Sequence, residues 1–195
     1  MKQPVPVTLQ GVHIRLEPLS LDHLDGLCAV GLDPELWKWI PTRVLDRAGM
    51  EEYVRIALDE QQRGVSIPFV TRLRDGHVAG STRYANISVR DGRLEIGWTW
   101  IGKPWQRSAV NTEAKLLMLR HAFEDLGCTR VELKTDGLNE KSRSAILRLG
   151  AKQEGIFRRH MLTYSGRIRD TVYFSILDNE WPEVRHKLEA RLAAG

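Results

Sequence analysis

The sequence predicts an α/β domain of the α+β kind. It should form a mixed, mostly antiparallel sheet with one central parallel strand pair and helices on both faces. Three observations carry that reading. Asp75-Gly76 and Asp91-Gly92 each separate two alternating runs, as consecutive hairpins do. An apolar helix from Val110 to Leu126 lies between two strand-like runs and is long enough to cross over between parallel strands. Ser165-Gly166 joins two more alternating runs into a final hairpin.

The elements follow in order. Val12-His13-Ile14-Arg15-Leu16 alternates like a half-buried strand and Pro18 closes it. Ser20 caps a helix whose Leu21, Leu24, Leu27 and Cys28 share one face. Asp33-Pro34 opens a short second helix carrying Trp37 and Trp39. Asp46 to Arg63 is a third, with Met50, Tyr53, Val54, Ala57 and Leu58 at helical spacing and Gly64 at its end. Strands 67–74, 77–89 and 94–101 make a meander. The crossover helix follows and Gly127 closes it. Then come a strand over 130–135 with Val131 and Leu133 inward, and a helix over 139–149 ended by Gly150. Strands over 153–164 and 168–177 and a last helix over 180–193 complete the chain.

Length and composition set the bounds. The 195 residues suit one domain, and 42% hydrophobic with 28% charged residues excludes disorder across the chain. No apolar run reaches the roughly 20 residues of a membrane span, and Met1 to Pro6 lacks the apolar core of a signal peptide. Cys28 and Cys128 form no C-x-x-C pair, so no disulfide framework or zinc site is expected and a reducing cytoplasm is the default. The six histidines show no metal spacing, so no metal is expected. The net charge of +4 and a pI near 9.2 fit an anionic ligand but are too weak to argue for nucleic acid.

In sheets of this kind a ligand sits at the carboxyl end of the strand that feeds the crossover helix. That places the site at residues 99–112. The first amides of the helix have no intrahelical partner, and with the helix dipole they form an anion site. Lys103 and Arg107 add positive charge. A solvated turn capped by Ser108 is the competing reading of the same residues.

The span from Glu95 to Phe174 resembles the GNAT superfamily of acyl-CoA-dependent N-acetyltransferases, in its RimJ/RimL-like branch of ribosomal-protein N-terminal acetyltransferases. The matching residues are Glu95-Ile96-Gly97-Trp98, Thr112-Glu113-Ala114-Lys115 and Ala122 to Gly127. Thr135 with Asn139-Glu140-Lys141-Ser142, Leu149 to Gly155 and Arg158 follow in family order. The resemblance implies acetyl-CoA as cofactor and a phosphate loop at Gln106-Arg107-Ser108-Ala109-Val110-Asn111, followed by Thr112. Ala109 and Asn111 stand where the family has glycines, and both can serve if their backbone is helical, because main-chain N–H groups make the cradle. It also implies that pantetheine pairs with strand backbone near Trp100 and Ile101, and that Asn139, Lys141 and Ser142 contribute to cofactor binding.

The reaction implied is direct attack of an amine on the thioester, which leaves two proton tasks. The tyrosine that many members use as acid is replaced here by Ile146. Ser142 is the candidate acid, and closing the Asn139 cap is its competing role. Glu95 is the candidate base, against a solvated strand start beside Arg93 or a water relay. Trp98 and Trp100 share one strand face. By resemblance, Trp37 and Trp39 wall the amine pocket, and Trp98 is counted with them. Arg158, Arg159, His160, Arg167 and Arg169 form a basic cluster on the last hairpin: a solvated face, or a surface for an acidic partner. The acceptor is an amine-bearing small molecule or a protein N-terminus. A homodimer through the last hairpin and final helix accords with the branch. Two other readings compete: a catalytically idle CoA-binding or regulatory module, and a nucleic-acid binder using those arginines.

Overall fold

A computed structural model describes residues 1–194. The chain forms β1 (Leu9–Gln10), β2 (Ile14–Pro18), α1 (Leu24–Gly31), α2 (Arg47–Gln62), β3 (Ser66–Leu73), β4 (Val78–Ser88) and β5 (Arg93–Ile101). It continues with α3 (Ala109–Arg120), β6 (Arg130–Asp136), α4 (Glu140–Leu149), β7 (Lys152–Leu162), β8 (Ile168–Leu177) and α5 (Trp181–Ala193). The strands make one eight-stranded sheet in the order β1-β2-β3-β4-β5-β6-β8-β7. Every neighbouring pair is antiparallel except β5 and β6.

That parallel pairing is short. It joins Arg93, Leu94 and Glu95 to Arg130, Val131 and Glu132 and then stops. Beyond it, β5 stays paired to β4 as far as Ile101, while β6 stays paired to β8 as far as Asp136. The sheet therefore opens between β5 and β6, and one edge of β5 from Gly97 onward has no strand beside it.

A bulge sets the geometry of that free edge. Gly97 lies opposite Arg83 and Trp100 opposite Ser81, so β5 carries one more residue than β4 across this step. Trp98 takes a left-handed backbone, with φ of 49°. The extra residue shifts the strand's alternation. Before it, Leu94 and Ile96 face the core under α3, with Leu116 to Leu119 and Phe174. After it, Ile101 faces that core and Thr99 meets α3, while Trp98 and Trp100 join Leu27, Met50, Tyr53 and Val70 on the α1–α2 side.

The helices end where their caps dictate. Asp46 accepts from the Gly49 amide at 2.8 Å to start α2, and Gly150, at φ 100°, stops α4 in the left-handed conformation that suits glycine. Three readings are corrected. The strand expected at Val12–Leu16 runs from Ile14 to Pro18, with a two-residue partner at Leu9–Gln10. The helix expected after Asp33-Pro34 is one 3-10 turn, Pro34–Leu36. The crossover helix stays α-helical only to Arg120 and passes through a π-helical turn, His121–Asp125. There the Tyr84 hydroxyl donates to the Met118 carbonyl at 2.6 Å, an acceptor that the next α-turn would use.

α3 also buries two charges that its apolar sequence conceals. The Glu113 carboxylate accepts from the amides of Val12, His13 and Ile14 at 2.7–2.8 Å, tying the N-terminal segment to the helix. Lys115, 5% exposed, donates to Thr99 Oγ1 at 2.6 Å and reaches Thr82 Oγ1 at 3.5 Å. It belongs to none of the ion pairs among the described residues. Burial lowers its pKa to about 7.

Candidate active site

The turn after β5 is shaped by three side chains. Gln106 Nε2 donates to the Ile101 carbonyl at 2.9 Å, folding the chain back at the strand end. Arg107 then adopts φ of 63°, and Ser108 caps α3. Its Oγ donates to the Trp105 carbonyl at 2.6 Å and accepts from the Val110 amide at 3.3 Å. Ala109 and Asn111 both lie within the first turn of α3, so their backbone is helical despite the absent glycines. Among the described residues, the amides of Arg107, Ser108, Ala109 and Asn111 have no hydrogen-bond partner. Thr112 lies in the same turn, and the Val110 side chain is core. These unpaired donors cluster at the positive end of the helix dipole, the arrangement an anion needs.

Across the gap, α4 begins where β6 ends. Asn139 Oδ1 accepts from the Ser142 amide at 3.1 Å. The cap is therefore made by the Ser142 main chain, and its half-buried hydroxyl has no partner among the described residues. Lys141 Nζ donates to Gln106 Oε1 at 2.5 Å, linking the two sides of the opening.

The α1–α2 face of the sheet holds a charged cluster. Glu95 is 2% exposed, not a solvated strand start. Its Oε2 accepts from Asn86 Nδ2 at 2.6 Å and pairs with Lys134 Nζ at 2.8 Å. Its Oε1 has no partner among the described residues. It lies 2.8 Å from where a Cβ on Gly97 would stand, so the glycine makes room for the carboxylate. Lys134 lies between the rings of Trp98 and Tyr173, at 5.9 and 5.8 Å. Arg83 covers Trp98 at 5.2 Å and pairs with Glu60 at 2.8 Å. A cavity of about 700 Å³ opens beside this cluster, lined by Asn86, Lys134, His160, Met161 and Tyr173 among others.

The structure thus brings the expected residues into two groups. Trp100, Ile101, Gln106 to Thr112, Asn139, Lys141 and Ser142 flank the opening between β5 and β6, and Glu95 and Trp98 lie on the cavity side. Trp37 is a correction. It is fully buried, its indole donates to the Gly31 carbonyl at 2.7 Å, and its ring packs on Tyr53 and Trp100. It is core and does not line the cavity beside Lys134. Trp39 is half-buried and lines a narrow slot with Arg169. Sequence reasoning missed Asn86, Lys134 and Tyr173. One signal was present: with Val131 and Leu133 inward, Glu132, Lys134 and Asp136 had to share the opposite face of their strand.

Comparison with known proteins shows the family. Residues 13–152 match the family model described as Acetyltransferase (GNAT) domain, and the chain belongs to that family of N-acetyltransferases. YdaF of Bacillus subtilis, whose name provisionally makes it a ribosomal N-acetyltransferase, is 35% identical over 109 residues. That match covers 56% of this chain and 58% of YdaF. A GCN5-related N-acetyltransferase from Brucella melitensis superposes with a TM-score of 0.90 at 33% identity, over 97% of this chain and 87% of that one. Mycobacterium smegmatis RimJ, solved in complex with CoA-disulfide, gives 0.85 at 22% identity, over 98% and 97%, and so shares the fold.

Proposed function

We propose that this chain transfers an acetyl group from acetyl-CoA to a primary amine by direct attack, with the cofactor entering between β5 and β6 and the amine approaching from the cavity side. The observation that carries the reading is the coincidence of a free strand edge with four unpaired amides at the start of α3. Acetyl-CoA supplies the acetyl group as an activated thioester. The residues present fit it: the amides of Arg107, Ser108, Ala109 and Asn111 suit a diphosphate, and the open edge of β5 near Trp100 and Ile101 suits an amide-bearing arm. Lys141 and Arg107 add cationic side chains at the same mouth.

The chain's own groups account for both proton tasks. Glu95 Oε1, unpaired and beside Gly97, takes a proton from the acceptor ammonium directly or through one water. Lys134 and Asn86 hold the other oxygen and so fix the carboxylate's orientation. The Ser142 hydroxyl, free of the cap, donates a hydrogen bond to the departing sulfur and relays it a proton that solvent returns to the serine oxygen. Trp98 forms part of the wall between the two sides. The acceptor is a small amine or a protein N-terminus.

Isothermal titration with acetyl-CoA, followed by an amine panel, tests this. Cofactor binding together with acetylation of a panel member is expected. No heat at millimolar cofactor contradicts the reading, whereas tight binding with no transfer to any amine points to an idle CoA-binding module.

A further inference from the structure

The last hairpin carries a guanidinium that the proposed chemistry leaves unused. Arg169 on β8 shares a strand face with Thr171 and Tyr173, which oppose Asp136 and Lys134 of β6. It is 5% exposed. Its Nε donates to Thr171 Oγ1 at 3.1 Å, and its Nη1 reaches the Trp39 carbonyl at 3.4 Å. A guanidinium has five N–H donors, and no ion pair among the described residues includes this one. Asp136, the acid beside it, is engaged twice. It pairs with Arg167 and accepts from the Leu138 amide at 3.0 Å. Arg167 therefore takes the nearby aspartate, and Arg169 feels its charge without pairing to it. Burial draws the Arg169 pKa down and Asp136 partly restores it, yet a guanidinium stays charged throughout the working range.

A buried cation with idle donors is costly until an anion joins it. Arg169 faces a narrow slot lined by Trp39, Ile40, Pro41, Leu162 and Thr163, and Met161 lines both this slot and the larger cavity. The two spaces therefore adjoin. Along β8, Tyr173 lies four positions on from Arg169, which is about 13 Å of extended chain.

We propose that Arg169 is a carboxylate-recognition subsite of the acceptor site, so that the preferred acceptor bears an acidic group roughly 10–15 Å from the nitrogen that is acetylated. The planar fork of the guanidinium matches a carboxylate. The inference rests on the transferase reading for the identity of the cavity. The carboxylate can belong to a small ω-amino acid or to an acidic side chain a few residues along a peptide.

The experiment uses the full chain, acetyl-CoA and two matched pairs. One pair is ω-aminooctanoate and its amide; the other is the peptide amide Ser-Ala-Ala-Asp and its Asn counterpart. The acidic member of at least one pair should be favoured about 10- to 100-fold in kcat/KM, mainly through KM, and the pair that shows it identifies the source. Arg169→Gln should bring that ratio close to one, and Arg169→Lys should restore part of it. Equal rates within both pairs, or a preference that survives Arg169→Gln, overturn the inference and leave the transferase reading intact. If no amine is acetylated, that reading fails instead. Titration calorimetry of octanoate against octanamide then decides the subsite alone: it stands if octanoate binds and Arg169→Gln abolishes the binding, and it falls if the two ligands bind equally.

Discussion

The two halves of β5 are built from one strand and behave as different structures. Arg93 to Glu95 has a strand on both sides, and its buried acid, Glu95, is neutralised by Lys134. Trp98 to Ile101 has a strand on one side only, and its other edge faces the opening beside α3 and α4. A single extra residue at Trp98 divides them. The lesson is that this site owes little to any one motif. A bulge ends the parallel pairing, turns Trp98 and Trp100 to the side that Glu95 faces, and leaves main-chain groups available where the first half has none.

Four perturbations break or sharpen that contrast. Glu95→Gln acts on the paired half and should lower kcat roughly a hundredfold to ten-thousandfold, the usual weight of a proton-transfer group. Transfer kinetics on the folded variant check this, and a kcat close to wild type would assign the proton to water instead. Glu113→Ala strips three buried amides of their charged acceptor. It should cost about 3 kcal/mol in urea unfolding, with partial recovery in Glu113→Gln.

Gly97→Ala tests the boundary itself. The new Cβ would stand 2.8 Å from Glu95 Oε1, and the carboxylate, being the movable partner, shifts. Stability should change little, while kcat falls roughly tenfold to a hundredfold through misplacement of the base. An unchanged kcat would detach Glu95 from the chemistry. Lys115→Met probes the open half from beneath Thr99. The buried amine titrates near pH 7 when folded and at its ordinary 10.5 when unfolded. Between those values the unfolded chain binds more protons, so wild-type stability rises with pH, by at most about 1.4 kcal/mol per unit. Below pH 7 the burial penalty is present in full. Methionine removes the ionisable group, so unfolding followed from pH 7 to 9.5 should show that rise flattened.

Much of this architecture was legible in the sequence because local chemistry dictates it. Asp46 and Asn139 announce helix starts, Gly64 and Gly150 announce stops, and the apolar crossover helix locates the parallel pair. What stayed hidden depends on distant partners. Glu113 reads as one more helical residue until residues about 100 positions away supply its three amides. Lys115 looks like a surface lysine until Thr82 and Thr99 close over it. The bulge at Trp98 has no local signal, since tryptophan carries none of glycine's preference for a left-handed backbone. Trp37 and Trp39 look alike in the sequence, but a 3-10 turn in place of a helix sends one into the core and leaves the other beside Arg169.

The central claim is that the second half of β5 and the first turn of α3 together hold a coenzyme A thioester. A crystal structure grown with coenzyme A measures it most directly. The account places the diphosphate on the amides of residues 107–111 and the pantetheine arm along the free edge near Trp100 and Ile101. Coenzyme A found elsewhere on the molecule, with those amides turned to protein acceptors, would contradict it.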